Sequence, residues 1–240
     1  MNFGVRVEDV KSLEASLSQE VINQHFSSVE QRVCNHKRPH VRAERYAAFF
    51  ATKVAVSQVV GYSGETLRAL EILHKPSGEP YVHIHGFEAP VVVSMTNIDE
   101  IAIGVAVQAP QGPYRLGLGI DVESVPRIKK NLNHLHGFLG KRFTYEEFIQ
   151  GVHSNHKGGL FTGFWTIKEA VMKVLGTGAR NGVYFNKISS VLKGGQWTTT
   201  LIDGALDRFN EQNGQALYTA VPYVGEVAVG IALGVFNTSR

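Results

Sequence analysis

The sequence predicts an α+β protein made of two similar α+β subdomains packed as a pseudo-twofold dimer. Three repeated patterns carry that prediction. The first is a strand: Gly4 to Val10 reads GVRVEDV, and Gly119 to Val125 reads GIDVESV. The second is helical: Glu44 to Val56 reads ERYAAFFATKVAV, and Leu160 to Val171 reads LFTGFWTIKEAV. Lys53 and Lys168 stand 115 positions apart, as do Arg6 and Asp121, so both patterns align without a gap. The third closes each half, EIAIGVAV from Glu100 to Val107 and EVAVGIAL from Glu226 to Leu233. Each half also carries an FS or FT pair followed by Glu, FSSVE from Phe26 and FTYEE from Phe143. Repeats kept in one order mark a duplicated structural unit. QAPQGP, from Gln108 to Pro113, reads as the linker. The expected subdomains therefore cover 1–110 and 114–240, with a cleft between them.

Each half predicts a first strand, a helical stretch, a long helix and then antiparallel strands. PYVHI, APVVVSM and EVAVGIAL read as strands from alternation or β-branched runs. RLGLGIDVESV places Leu116, Leu118, Ile120 and Val122 on one strand face and Gly117, Gly119, Asp121 and Glu123 on the other. In GFWTIKEAVMKVLGTG, Phe164, Ile167, Val171 and Leu175 form an apolar helical stripe. Trp165, Glu169 and Lys173 follow at i, i+4 and i+8 on another face, and Gly176 and Gly178 end the helix.

Composition narrows the function classes. Apolar residues at 43% and charged residues at 19% describe a globular chain. The slight net charge of +3 suits an acidic partner or a phosphorylated ligand. No Lys/Arg run with interleaved aromatics supports nucleic-acid binding, and no apolar run is long enough to span a membrane. The start, MNFGVRVEDVKSLE, lacks the apolar core of a signal peptide, and Cys34 stands alone. Together these fit the reducing cytoplasm.

The chemistry is expected in the second half. Asp121 and Glu123 point the same way from one strand, beside glycines that leave room for a ligand. Like charges so close call for a cation between them. A hard divalent cation fits, with Glu169 as a third oxygen; an exposed acidic strand end is the plain alternative. Lys168 and Lys173 then read as phosphate ligands or as the acid for a leaving group. The first half has Arg6 in place of Asp121 and Val54 in place of Glu169, which points to one site rather than two. A P-loop is absent, and GLGID alone is a weak dinucleotide signal. His83, His85, His134 and His136 read as surface or partly buried histidines, and Trp197 and Phe209 as packing.

GIDVE together with WTIKEAVMK, Trp165 to Lys173, resembles the 4′-phosphopantetheinyl transferases over essentially the whole chain. The two-copy layout is similar to the surfactin-synthetase-activating, pseudo-dimeric type. KVLGTGARNGVYFNKISSV is similar to the shorter holo-acyl-carrier-protein synthases. The resemblance implies the 4′-phosphopantetheinyl transferase fold, coenzyme A (CoA) as donor and a serine of an acidic acyl or peptidyl carrier protein as acceptor. It implies Mg²⁺, or Mn²⁺, on Asp121, Glu123 and Glu169. Glu169 would take the serine proton and Lys173 would assist the departing 3′,5′-ADP. CoA contacts would come from Arg45, Lys75, Ser94, Thr96, Asn97 and Lys168, and carrier docking from Arg127 and Lys130 in SVPRIKKNL.

Two positions depart from the family pattern. Asn97 stands where a histidine is usual, and Glu79 where Lys or Arg is frequent, with Lys75 or Lys37 left to compensate. A monomer is expected. The rival reading is a non-catalytic module of the same fold that binds CoA or a carrier protein.

Overall fold

A computed structural model of the chain describes residues 2–132 and 140–238. His134 and His136 lie outside the described residues. The chain divides into two compact units, Met1–Pro110 and Gln111–Arg240.

In the N-terminal unit the order is β1 (Phe3–Asp9), α1 (Val10–Ser16), α2 (Gln19–His25), α3 (Ser28–Cys34) and α4 (Pro39–Val60). Strands β2 (Leu70–His74), β3 (Pro80–Ile84), β4 (Phe87–Glu88), β5 (Val91–Ile98) and β6 (Ile101–Gln108) follow. The main sheet is antiparallel in the order β1-β6-β5. Helix α4 starts with Pro39, whose missing N–H is no loss in a first turn, and stops at Gly61 in the left-handed conformation. Ala43, Ala47, Ala51 and Ala55 recur every four residues along α4 and are buried, so the helix backbone comes down close to the sheet. Strand β3 ends at Ile84, because His85 adopts φ 50° in the following turn. His83 and His85 therefore do not share a strand face.

The C-terminal unit repeats the plan. It runs β7 (Tyr114–Ser124), α5 (Val125–Leu132), α6 (Tyr145–Val152) and α7 (Lys157–Leu175). After a 3₁₀ turn at Phe185–Lys187 come β8 (Ile188–Lys193), β9 (Gln196–Leu201) and α8 (Gly204–Glu211). The unit closes with β10 (Gly214–Ala220), β11 (Tyr223–Val224) and β12 (Val227–Asn237). Strand β12 lies between β7 and β10, matching the place of β6 between β1 and β5. The predicted stripe of Phe164, Ile167, Val171 and Leu175 is completely buried, and Gly176 closes α7 with φ 68°.

The repeat extends to backbone contacts. A Cβ on Gly119 would land on the Ala170 carbonyl of α7, and one on Gly4 would land on the Ala55 carbonyl of α4. Both glycines let the first strand of a unit touch its long helix backbone to backbone. Gly119→Ala is expected to force β7 and α7 apart and destabilise the C-terminal unit by about 1–3 kcal/mol. Urea unfolding would test this; an unchanged midpoint would mean that the close approach is not required.

Candidate active site

Strand β7 carries Asp121 and Glu123 into the unit, where they are only 7% and 5% exposed. Buried carboxylates need partners. Lys173, near the end of α7, places its ammonium 3.2 Å from Asp121 Oδ1 and donates to the Ile120 carbonyl. Glu169, one turn earlier, shares a hydrogen bond with Asp121. Burial pushes the Glu169 carboxyl up to about 8; the charge of Asp121 and its hydrogen bond add to this, Lys173 opposes it, and Glu123 adds a smaller push. The surroundings of Glu169 in the metal-free protein thus favour its protonated form. One Glu123 oxygen accepts the Ser124 N–H at 2.7 Å, and the other lies 3.5 Å from Arg127.

The donor set fits a hard divalent cation. Asp121 and Glu169 lie within hydrogen-bond reach of each other, and an oxygen-seeking cation would be held by carboxyl oxygens so placed. Among the described residues, however, the three-ligand group whose donor atoms fall within 4.8 Å of one another is His40, Glu44 and Asp99, on the N-terminal unit. Sequence reading missed that exposed group because Asp99 comes from the β5–β6 turn. Asp121, Glu123 and Glu169 are not gathered that tightly.

Lys168, expected at a phosphate, is enclosed by protein groups. Its side chain is completely buried, its ammonium 2.8 Å from Glu147 of α6 and donating to the Phe185 and Ile188 carbonyls. Burial drives Lys168 down and Glu147 up, while their mutual attraction opposes both shifts. Glu147 was legible only in part. The T-x-x-E of FTYEE signals a capping box, which the helix forms, but not a second reach to a lysine.

The residues expected to hold CoA, other than Lys168, all lie in the N-terminal unit. Arg45 is exposed on α4, its Nη1 donating to the Val33 carbonyl at 2.9 Å. Lys75 sits in the β2–β3 turn, 3.0 Å from Glu79, so the residue flagged as a departure is its ion-pair partner. Ser94 and Thr96 are buried side by side on one face of β5, and Asn97 falls on the opposite face. Cys34 is buried with its thiol pushed up to about 12, which leaves it inert.

Arg127 and Lys130 are exposed on α5. The stem of Lys129 lies across Gly158 of α7, and the Arg142 guanidinium sits 4.7 Å over the Phe185 ring. A cavity of about 890 Å³ opens between α5 and the start of α7, lined by Lys129, Leu160 and Tyr223 among others. None of Asp121, Glu123, Glu169 or Lys173 lines it.

The N-terminal unit lacks the cluster. At the positions of Asp121, Glu169 and Lys173 it has Arg6, Val54 and Gln58. Arg6 pairs with Glu8 at 2.6 Å, and Gln58 accepts the Val5 N–H at 3.0 Å. The carboxylate and lysine cluster belongs to one unit.

Carboxylates gathered against a lysine are a side-chain set that suits phosphate-group chemistry. Residues 117–230, inside the C-terminal unit, match the 4′-phosphopantetheinyl transferase superfamily model. The holo-[acyl-carrier-protein] synthase of Parvibaculum lavamentivorans is 34% identical over 98 residues, 40% of this chain and 74% of that one. The holo-[acyl-carrier-protein] synthase of Shewanella amazonensis is 32% identical over 120 residues, 49% of this chain and 96% of that one. The chain belongs to the 4′-phosphopantetheinyl transferase superfamily. A solved holo-[acyl-carrier-protein] synthase from Neisseria meningitidis aligns with a TM-score of 0.46 at 21% identity, covering 49% of this chain and 96% of that one. Among the described residues, no helix is long and apolar enough to cross a membrane.

Proposed function

We propose that this protein transfers the 4′-phosphopantetheine group of coenzyme A to a serine of an apo acyl or peptidyl carrier protein and releases 3′,5′-ADP. The observation that carries the reading is the meeting of Asp121, Glu169 and Lys173 in one cluster, with Asp121 buried and Lys173 reaching it from the surface. Superfamily membership supplies the substrate class. A bond forms between the serine Oγ and the β-phosphorus of CoA as the bond to the bridging oxygen breaks, and the electron pair leaves with 3′,5′-ADP.

Glu169 takes the serine proton, directly or through water. Lys173 places positive charge where the leaving phosphate gains negative charge. Asp121, Glu169 and Glu123 would hold Mg²⁺ or Mn²⁺, which supplies charge neutralisation for the pyrophosphate. Arg45, Lys75, Ser94, Thr96 and Asn97 are proposed for CoA contact, and Arg127 and Lys130, exposed on a basic helix, for drawing in an acidic carrier by charge.

The test is intact-mass spectrometry of several apo carrier proteins incubated with the protein, CoA and Mg²⁺. A gain of one phosphopantetheine on a carrier is the expected result. Chelation with EDTA should lower that gain at least about 100-fold, because the pyrophosphate would then lack the charge neutralisation that the metal supplies. Absence of any gain, with CoA binding intact, would point to a binding module instead. Undiminished transfer in EDTA would remove the metal role from the carboxylates.

A further inference from the structure

Among the described residues, four charged side chains are completely buried, Glu30, Lys53, Glu147 and Lys168. They form two ion pairs, Glu30 with Lys53 at 2.6 Å and Glu147 with Lys168 at 2.8 Å. The two glutamates match bond for bond, and each lysine donates to two backbone carbonyls, one of those on Lys53 coming from before its long helix. Glu30 accepts the Ser27 N–H of its own capping box and the Ile72 N–H of β2, both at 2.8 Å. Glu147 accepts the Thr144 N–H at 2.8 Å and the Ser190 N–H of β8 at 2.7 Å. Lys53 donates to the His25 and Leu67 carbonyls, as Lys168 donates to those of Phe185 and Ile188. In each unit the pair ties the long helix to the helix before it and to the chain entering the next hairpin.

The N-terminal unit is a built-in control. It keeps the ion pair although Val54 follows Lys53, and Arg6 and Gln58 replace Asp121 and Lys173. A device retained where the catalytic groups are missing belongs to the architecture. In the C-terminal unit the same device has a neighbour. Glu169 follows Lys168 directly, about 100° further round α7. Fixing Lys168 in its socket fixes the rotation and height of the helix, and so the aim of Glu169 at Asp121.

We propose that Glu147 and Lys168 form a buried clamp that positions Glu169, and that Lys168 touches neither CoA nor phosphate. The role rests on the proposed transfer reaction; the absence of a CoA contact does not. Lys168 is thereby a positioning residue, not a substrate ligand. Its ammonium has three N–H donors, and Glu147, the Phe185 carbonyl and the Ile188 carbonyl, all of its own unit, take up three.

Two measurements test this. The first uses the wild-type protein, with reductive methylation of lysines mapped by mass spectrometry with and without CoA. Lys53 and Lys168 should resist modification in both conditions, while Lys173 is modified freely and becomes shielded by CoA. A Lys168 that reacts without CoA and is protected by it would overturn the clamp. The second compares Glu147→Gln/Lys168→Met with the matched Glu30→Gln/Lys53→Met. Each single change strands a buried charge and should lower the melting temperature by about 5–15 °C, while each double change recovers most of that loss.

Calorimetry on the folded C-terminal double variant should give a CoA affinity within about twofold of wild type. Its kcat should fall about 10–100-fold with KM for CoA unchanged, since a misaimed base slows only the chemical step. The N-terminal double variant should keep kcat within about twofold. A tenfold weaker CoA affinity in the C-terminal double variant would make Lys168 a ligand, and an unchanged kcat would remove the aim on Glu169. Should the wild type modify no carrier protein, the transferase reading falls, while methylation and calorimetry still decide whether Lys168 meets CoA.

Discussion

Glu169→Gln is expected to slow transfer by about 10²–10⁴-fold and, in the metal-free protein, to raise stability at neutral pH. The rate loss follows from the role. Gln cannot take a proton, yet it keeps the length and the hydrogen bond that join Glu169 to Asp121. The stability gain follows from the sign of the shift. The folded-state carboxyl stands at about 8, well above its ordinary value of 4.5. Below about 4.5 both folded and unfolded chains hold the proton and nothing is lost.

As pH rises toward about 8 the unfolded chain gives up that proton while the folded chain keeps it, so Glu169 increasingly opposes folding. Melting curves in EDTA should therefore coincide for wild type and Glu169→Gln near pH 4.5. They should separate in favour of the variant at pH 8. A variant that melts below wild type at pH 8 would show that Glu169 is held ionised in the folded protein. Near-normal turnover would take both the base role and the metal role away from it.

The fold was legible because the sequence states its plan twice. One offset of 115 positions joins Arg6 to Asp121 and Lys53 to Lys168, and the structure carries the same offset into the contacts of Gly4 with Ala55 and Gly119 with Ala170. Amphipathic spacing was enough to find the α7 stripe, because burial of Phe164, Ile167, Val171 and Leu175 follows directly from helical geometry. The cluster of Asp121, Glu169 and Lys173 was legible for a related reason. Strand alternation aimed the one acid, and i, i+4 spacing put the other two residues on one helix face.

The surroundings of Lys168 were not legible, because residue type and motif position say nothing about which groups surround a side chain once the chain has folded. Its partners come from sequence positions 17 to 21 away, and two of them are backbone carbonyls that no side-chain pattern encodes. The ion pair of Lys75 with Glu79 escaped for a different cause. Each residue had been weighed against a ligand rather than against the other across the β2–β3 turn. The repeat itself held the missing signal. Lys53 occupies the matching place in a half with no acidic cluster, so a role shared by both lysines had to be structural.

Lys173→Met should separate the two lysines of α7 by effect. Met keeps most of the stem's packing and removes only the ammonium, which is partly exposed and faces Asp121 at 3.2 Å. The melting temperature should change by no more than a few degrees, because the ammonium removed is partly exposed and Asp121 keeps its hydrogen bond with Glu169. The kcat should fall about 10²–10³-fold, equivalent to roughly 3–4 kcal/mol of transition-state stabilisation, through loss of the cation facing the leaving phosphate. Lys173 also holds the Glu169 carboxyl down, so carboxyl ¹³C titration of the metal-free variant should place Glu169 above its wild-type position. Lys168 lies five residues earlier on the same helix and is expected to show the opposite pattern when changed singly, a large fall in melting temperature with CoA affinity kept. Gln58, the neutral counterpart of Lys173 in the N-terminal unit, explains the difference: the fold does without a cation at that position, and only the site needs one. If Lys173→Met melted as low as Lys168→Met, the cation would be part of the scaffold, and the leaving-group role would pass to another residue.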